Sequence, residues 1–129
     1  MRGSQKVAPQ QLTGAEKASL AYGALADKRA LDPVLLDMRE ITPITDYFLI
    51  CHGTSNVHIR ALSEGVLEAL KEAGVRPFGV EGRGAARWLL LDYGDLIVHI
   101  FAQEEREFYA LERLWSDAPR VETEAAAAG

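Results

Sequence analysis

The sequence predicts an α/β domain, a mixed sheet of about five strands with helices packed on it, in the order α-β-β-α-β-β-β-α. Three observations carry that prediction. Two segments repeat apolar residues at helical spacing behind capping residues, at Thr13 and Ser55. Short runs of branched and aromatic residues stand between and after them, at Val34-Leu35-Leu36, Tyr47–Cys51 and Phe78-Gly79-Val80. Two further runs, Trp88–Leu91 and Leu96–Phe101, are joined through Asp92-Tyr93-Gly94-Asp95, which reads as a β-hairpin. At 129 residues, with 48% hydrophobic and 26% charged side chains, the chain suffices for one core and is too short for two ordinary domains.

Taken in order, residues 1–12 carry no apolar period and contain Pro9, so they are expected to be a disordered lead. Thr13 and Glu16 have capping-box spacing, and Ala18, Ala21, Tyr22 and Leu25 then share one helical face that runs toward Arg29 before Pro33 stops it. Val34-Leu35-Leu36 is expected to be a buried strand, and Tyr47–Cys51, ending at Gly53, a second one. From Ser55 onward His58, Ala61, Leu62, Gly65, Val66, Ala69, Leu70 and Ala73 fall on one stripe that ends at Gly74, a favoured residue just past a helix. The strand-helix-strand crossover then makes Phe78-Gly79-Val80 parallel to the second strand. Phe108, Leu111 and Trp115, with Leu114 beside them, predict one closing amphipathic helix. The domain is thereby bounded at residues 13–116, and 117–129, ending in Ala-rich sequence, reads as a flexible tail.

Charge and composition exclude several functions. A net charge of −5 opposes bulk binding of DNA or other phosphate backbones. Cys51 has no second cysteine, so no intrachain disulfide forms. No apolar run approaches a membrane span. The expectation is a cytoplasmic protein.

Candidate chemistry is sparse. His52, His58 and His99 lie on separate elements with the single Cys51, which lacks the spacing of a metal site or a Cys-His pair. His58 reads more simply as a hydrogen-bonded residue between helix and sheet, and His99 as a satisfied strand residue. Asp37, Asp46, Asp92 and Asp95 all fall at strand ends, where α/β folds place working groups and where turns also use aspartate. Gly82-Arg83-Gly84 lacks the third glycine of a dinucleotide loop. Trp88, after Arg87, and Tyr93, on the hairpin, are expected at one end of the sheet. Both core filling and an interface role fit them.

Asp37-Met38-Arg39, Thr45-Asp46-Tyr47-Phe48-Leu49-Ile50 and Gly53-Thr54-Ser55-Asn56-Val57-His58 together resemble the first signature of the ribosomal silencing factor family, RsfS or Iojap. Glu81-Gly82, Trp88, Asp92-Tyr93-Gly94-Asp95, His99-Ile100-Phe101 and the stretch from Arg106 to Trp115 resemble the second, so the likeness spans about residues 13–116. Two residues depart from the pattern: His52 replaces a small hydroxyl residue, and Arg87 an acidic one.

The resemblance implies a nucleotidyltransferase-like fold used without catalysis, as a translational repressor in bacterial cytoplasm rather than in an organelle. Such a protein binds the large ribosomal subunit at protein L-fourteen and blocks joining of the small subunit. It further implies Trp88 and Tyr93 as anchors, with Asp46, Glu81, Asp92 and Asp95 as an acidic rim and Arg87 at its edge. His58, His99 and Tyr47 would support the site, and no catalytic residue, metal or cofactor is expected. A homodimer of the free chain through the same apolar surface is a further expectation. The alternatives are a Mg²⁺-dependent nucleotidyltransferase-like enzyme, for which Gly53-Thr54-Ser55 is present but Phe78-Gly79-Val80 supplies no carboxylate pair, and a ribosome-assembly or RNA-handling adaptor.

Overall fold

In the computed structural model, which describes residues 12–82 and 87–122, helix α1 (Gly14–Asp27) opens on the expected capping box. Thr13 Oγ1 accepts from the Glu16 N–H at 3.0 Å, and Glu16 Oε1 accepts from the Thr13 N–H at 2.9 Å. Leu12, placed by the sequence in the lead, packs half-buried on the core. The chain leaves α1 through Arg29, whose φ is 62°.

Strand β1 (Leu31–Asp37) starts three residues before the expected Val34. Its register slips between Leu31 and Val34, and Asp32 takes a φ of 47°. That bulge accommodates Pro33, which has no N–H to give, in a strand at the sheet edge.

Strand β2 (Tyr47–Gly53) is followed by α2 (Asn56–Glu72), where Ser55 caps the helix by accepting from the His58 N–H at 3.1 Å. The remaining strands are β3 (Gly79–Glu81), β4 (Trp88–Asp92) and β5 (Leu96–Ala102). The β4–β5 turn needs Gly94, which has a φ of 83° and where a Cβ would lie 2.7 Å from the Phe78 ring.

The sheet order is β1-β2-β5-β4-β3, with only the β2–β5 pair parallel. The crossover through α2 gives β3 the direction of β2, as expected, but does not seat it beside β2. The hairpin fills the intervening places, so that β5, apolar on both faces, lies at the centre of the sheet and the short β3 at its edge.

Helices α1 and α2 cover one face through Ala18, Ala21, Leu25, Ile59, Leu62, Val66 and Leu70, which meet Leu35, Leu49, Cys51, Leu91, Val98 and Ile100. A smaller cluster of Leu36, Met38, Ile50, Phe101 and Ala118 occupies the other face. The expected single closing helix is two: α3 (Gln103–Tyr109) and α4 (Leu111–Leu114), broken at Ala110 with φ 48° and ψ 50°. Arg106 explains the break. Its Nε and Nη2 donate to Glu112 Oε1 and Oε2 at 3.0 and 2.8 Å, whereas a continuous helix would point residues six apart about 120° away from each other. Leu111 and Trp115 therefore reach the sheet, while Phe108 and Leu114 stay 80% and 66% exposed.

The chain does not leave the fold at Ser116. Pro119 O accepts from the Asp37 N–H and Leu35 O from the Val121 N–H, both at 2.8 Å, so residues 119–121 line the outer edge of β1. Residues 1–11 and 123–129 of the expected lead and tail, and Arg83 and Gly84 of the glycine string, lie outside the described residues.

Candidate partner-docking site

Alternation along β4 decides what faces outward. Leu89, Leu91 and the following Tyr93 enter the core under the helices, while Trp88 joins the opposite cluster. Trp88 and Tyr93, expected at one end of the sheet, thus lie on opposite faces and at opposite ends of β4, about 16 Å apart along its direction. Tyr93 is 1% exposed and its hydroxyl has no partner among the described residues. Burial pushes its pKa up to about 12. It is a core residue and offers no ring to a partner.

Around Trp88 the structure gathers aromatics that the sequence did not single out. Tyr109 lies 4.6 Å from the indole, centroid to centroid, and Phe101 lies 4.9 Å away. Phe108 makes an edge contact with Tyr109 at 5.1 Å. Phe48 touches His99 at 4.7 Å and Trp115 at 6.2 Å. Trp88, Phe48 and Trp115 are half-buried, and Tyr109 is 45% exposed. The result is a partly open aromatic layer along the face of the sheet opposite α1 and α2, running from Phe48 near the start of β5 to Trp88 near its end and braced by α3 and α4.

His99 stands beneath it. The Trp88 indole N–H donates to His99 Nδ1 at 3.1 Å. Because Nδ1 accepts, neutral His99 carries its proton on Nε2, which has no partner among the described residues. His99 is 4% exposed, and this burial lowers its pKa to about 4, so the ring is neutral at pH 7.

The charged candidates divide between the two ends. Arg87 pairs with Glu105 at 2.8 Å and Glu104 at 3.2 Å beside Trp88, and the exposed Glu81 sits opposite Leu90 on β3. At the far end Asp46 is exposed. Asp92 Oδ1 accepts from the Gly94 N–H at 2.8 Å, and Asp95 pairs with the buried Lys17 at 2.9 Å. Asp92 and Asp95 thus build the hairpin and dock α1, so their first task is structural. Tyr47 is buried, with the Arg39 guanidinium 5.6 Å from its ring centroid. Two carboxylate oxygens of Asp37 accept from that guanidinium and hold the acid below its ordinary range. His58 fastens α1 to the β2–α2 turn: Nε2–H donates to Lys28 O at 2.9 Å and Nδ1 accepts from the Thr54 N–H at 3.0 Å.

Other groups that could react are committed elsewhere. The Cys51 thiol is fully buried and pushed up to about 12, which leaves negligible thiolate at neutral pH. His52 Nδ1 accepts from Arg106 Nη1 at 2.9 Å, and burial together with that cation lowers its pKa. Arg106 Nη1 also donates to Leu31 O at 3.1 Å. Arg106, His52 and Glu112 border a cavity of about 650 Å³ that also contacts Asp32, Arg113 and Arg120. Gly53-Thr54-Ser55 lines a second one of about 450 Å³ with Arg87 and Glu104. Strand β3, which follows α2, carries one carboxylate, Glu81, and no pair. Among the described residues no three His, Cys, Asp or Glu side chains are grouped to hold a metal ion, and no helix is long and apolar enough to cross a membrane.

Residues 11–128 match the family model described as "Ribosomal silencing factor during starvation". The chain is 42% identical over 113 residues to the ribosomal silencing factor of Halalkalibacterium halodurans, covering 88% of this chain and 97% of that protein. It is 45% identical over 100 residues to the Bacillus subtilis silencing factor, covering 78% and 85%. A mouse protein named for mitochondrial assembly of the ribosomal large subunit is 34% identical over 95 residues, which cover 71% of this chain and 42% of that one. A crystal structure from Chromobacterium violaceum superimposes with a TM-score of 0.79 at 35% identity, covering 81% of this chain and 88% of the other. One from Bacillus halodurans gives 0.74 at 41% identity, covering 83% and 97%.

Proposed function

The chain belongs to the ribosomal silencing factor family, and from that premise we propose that it binds the large ribosomal subunit at protein L-fourteen and sterically blocks joining of the small subunit. The single observation that carries the reading is the partly open aromatic face of Trp88, Tyr109 and Phe48, on the side of the sheet opposite the one that α1 and α2 cover. Half-open aromatics of this kind supply most of the free energy of interfaces of standard size, about 1,600 Å² in total. The exposed carboxylates Glu81 and Asp46 and the net charge of −5 attract a basic ribosomal protein and repel rRNA phosphate. Arg87, paired with both Glu104 and Glu105 so that the three together are net negative, marks the edge of the face.

No catalysis is needed for this action, and nothing in the site residues supplies a paired-carboxylate metal centre. The bacterial relatives match over nearly their whole length, which supports action in a bacterial cytoplasm. The name of the mouse relative, which refers to the large subunit, supports the choice of particle.

Sucrose-gradient sedimentation of mixed subunits tests the reading. The protein is expected to migrate with large subunits and deplete the joined particle. Joined particles undiminished at saturating protein overturn the reading, and turnover of a nucleotide with Mg²⁺ replaces it with the enzymatic one.

A further inference from the structure

Tryptophan carries one hydrogen-bond donor and no acceptor, so the direction in which the indole N–H points decides what its outer surface can recognise. In Trp88 that donor is turned inward. It crosses diagonally from β4 to β5: Trp88 lies opposite Phe101 in the ladder and His99 opposite Leu90, yet the indole reaches His99 Nδ1 at 3.1 Å. The acceptor is itself immobilised. His99 is 4% exposed, its ring nearly parallel to Phe101 at 10° and 6.2 Å between centroids, with Phe48 against its edge. Its position on the central β5 leaves it no freedom to follow a wandering indole.

We propose that His99 is the positioning residue of the docking face, locking the Trp88 ring through Nδ1 so that Trp88 meets its partner as a preset ring with no free hydrogen-bond donor. This inference rests on the docking role proposed above. A half-exposed tryptophan without the bond would sample several rotamers and lose them on binding, whereas the locked ring has already lost them in the unbound protein. The lock also sets chemistry. With its N–H consumed, Trp88 offers the partner only its ring, on which an aliphatic side chain or the stem and cation of a Lys or Arg can pack, and it gains nothing from a carbonyl or carboxylate placed over it.

The test compares wild type with His99→Phe, which keeps a ring but removes the acceptor, and His99→Asn, whose Oδ1 can stand where Nδ1 stood. In ¹⁵N spectra the indole resonance lost in Trp88→Phe belongs to Trp88. It is expected to exchange slowly with solvent in wild type and His99→Asn, and rapidly in His99→Phe. Affinity for large subunits should fall about five- to tenfold in His99→Phe, the change produced by one ordinary hydrogen bond, and return in His99→Asn. Equal binding by wild type and a folded His99→Phe overturns the proposal and leaves the docking reading intact. So does loss in His99→Phe without recovery in a folded His99→Asn, which marks a packing role. Indole exchange in wild type as fast as in free tryptophan overturns it without any variant. Failure of wild type to bind large subunits overturns the docking reading, and the positioning role falls with it.

Discussion

Acidification from pH 7 to pH 4.5 is expected to destabilise this domain in a way traceable to one side chain. His99 has an ordinary pKa near 6.5 when unfolded and about 4 when folded, because burial disfavours its charged form. Well above pH 6.5 the ring is neutral in both states and contributes no pH dependence. Between pH 6.5 and 4 the unfolded chain takes up a proton that the folded chain refuses, so stability falls by up to about 1.4 kcal/mol per pH unit. Over the whole interval the loss approaches about 3 kcal/mol, a large share of the ordinary stability of a domain of this size. His52, lowered by burial and by Arg106, adds to the fall in the same direction. Asp37, Glu105 and Glu112, each held low by an arginine, lose stabilisation only as pH drops through and below the ordinary carboxylate range. Urea unfolding followed by circular dichroism at pH 7.5, 6.5, 5.5 and 4.5 measures the slope, and His99→Phe should flatten most of it above pH 5. Identical slopes in wild type and His99→Phe, or a His99 imidazole titrating near 6.5 in folded protein, would refute the reasoning.

Other consequences are open to simpler measurements. Trp88→Ala should weaken binding to the large subunit by about 2 kcal/mol or more, as for an interface hot spot, and unchanged co-sedimentation of the folded variant counts against it. Arg106→Met removes four hydrogen bonds and strands Glu112 beside the kink, so a stability loss of about 3 kcal/mol is expected by urea unfolding; a loss below 1 kcal/mol would show the knot to be dispensable. The free chain should dimerise through the aromatic face at micromolar concentration, and Trp88→Ala should shift it toward monomer; light scattering that finds only monomer in wild type defeats this.

How far the sequence reveals the fold depends on whether the signal is local. The Thr13–Glu16 capping box, the α2 helix and the β4–β5 hairpin lie within a few residues of chain and all three form, although the buried face of α2 is turned toward Ile59 and Ser63 while His58, Ala61, Gly65 and Ala69 of the expected stripe are only half-buried. Strand neighbours are settled by contacts far apart in sequence, so the separation of β3 from β2 could not be read from a crossover that fixes direction alone. The break at Ala110 carries no glycine to announce it, and its cause, the pairing of Arg106 with Glu112, has no periodic spacing to mark it. The position of Tyr93 is legible in the spacing alone. It lies five positions after Trp88, an odd offset, which in an extended strand sends the two rings to opposite faces. Tyr109 and Phe48 escaped because the aromatic face is assembled from four separate elements.

The segment at 119–121 gives the sheet a selvedge. By lying along β1 it satisfies backbone groups that would otherwise invite a strand from another molecule, and Pro119, having no N–H, is a poor template for adding one more. A chain trimmed after Ser116 would keep every helix and strand of the sandwich and still lose this hem, and concentrated solutions of it should cloud where the longer chain stays clear.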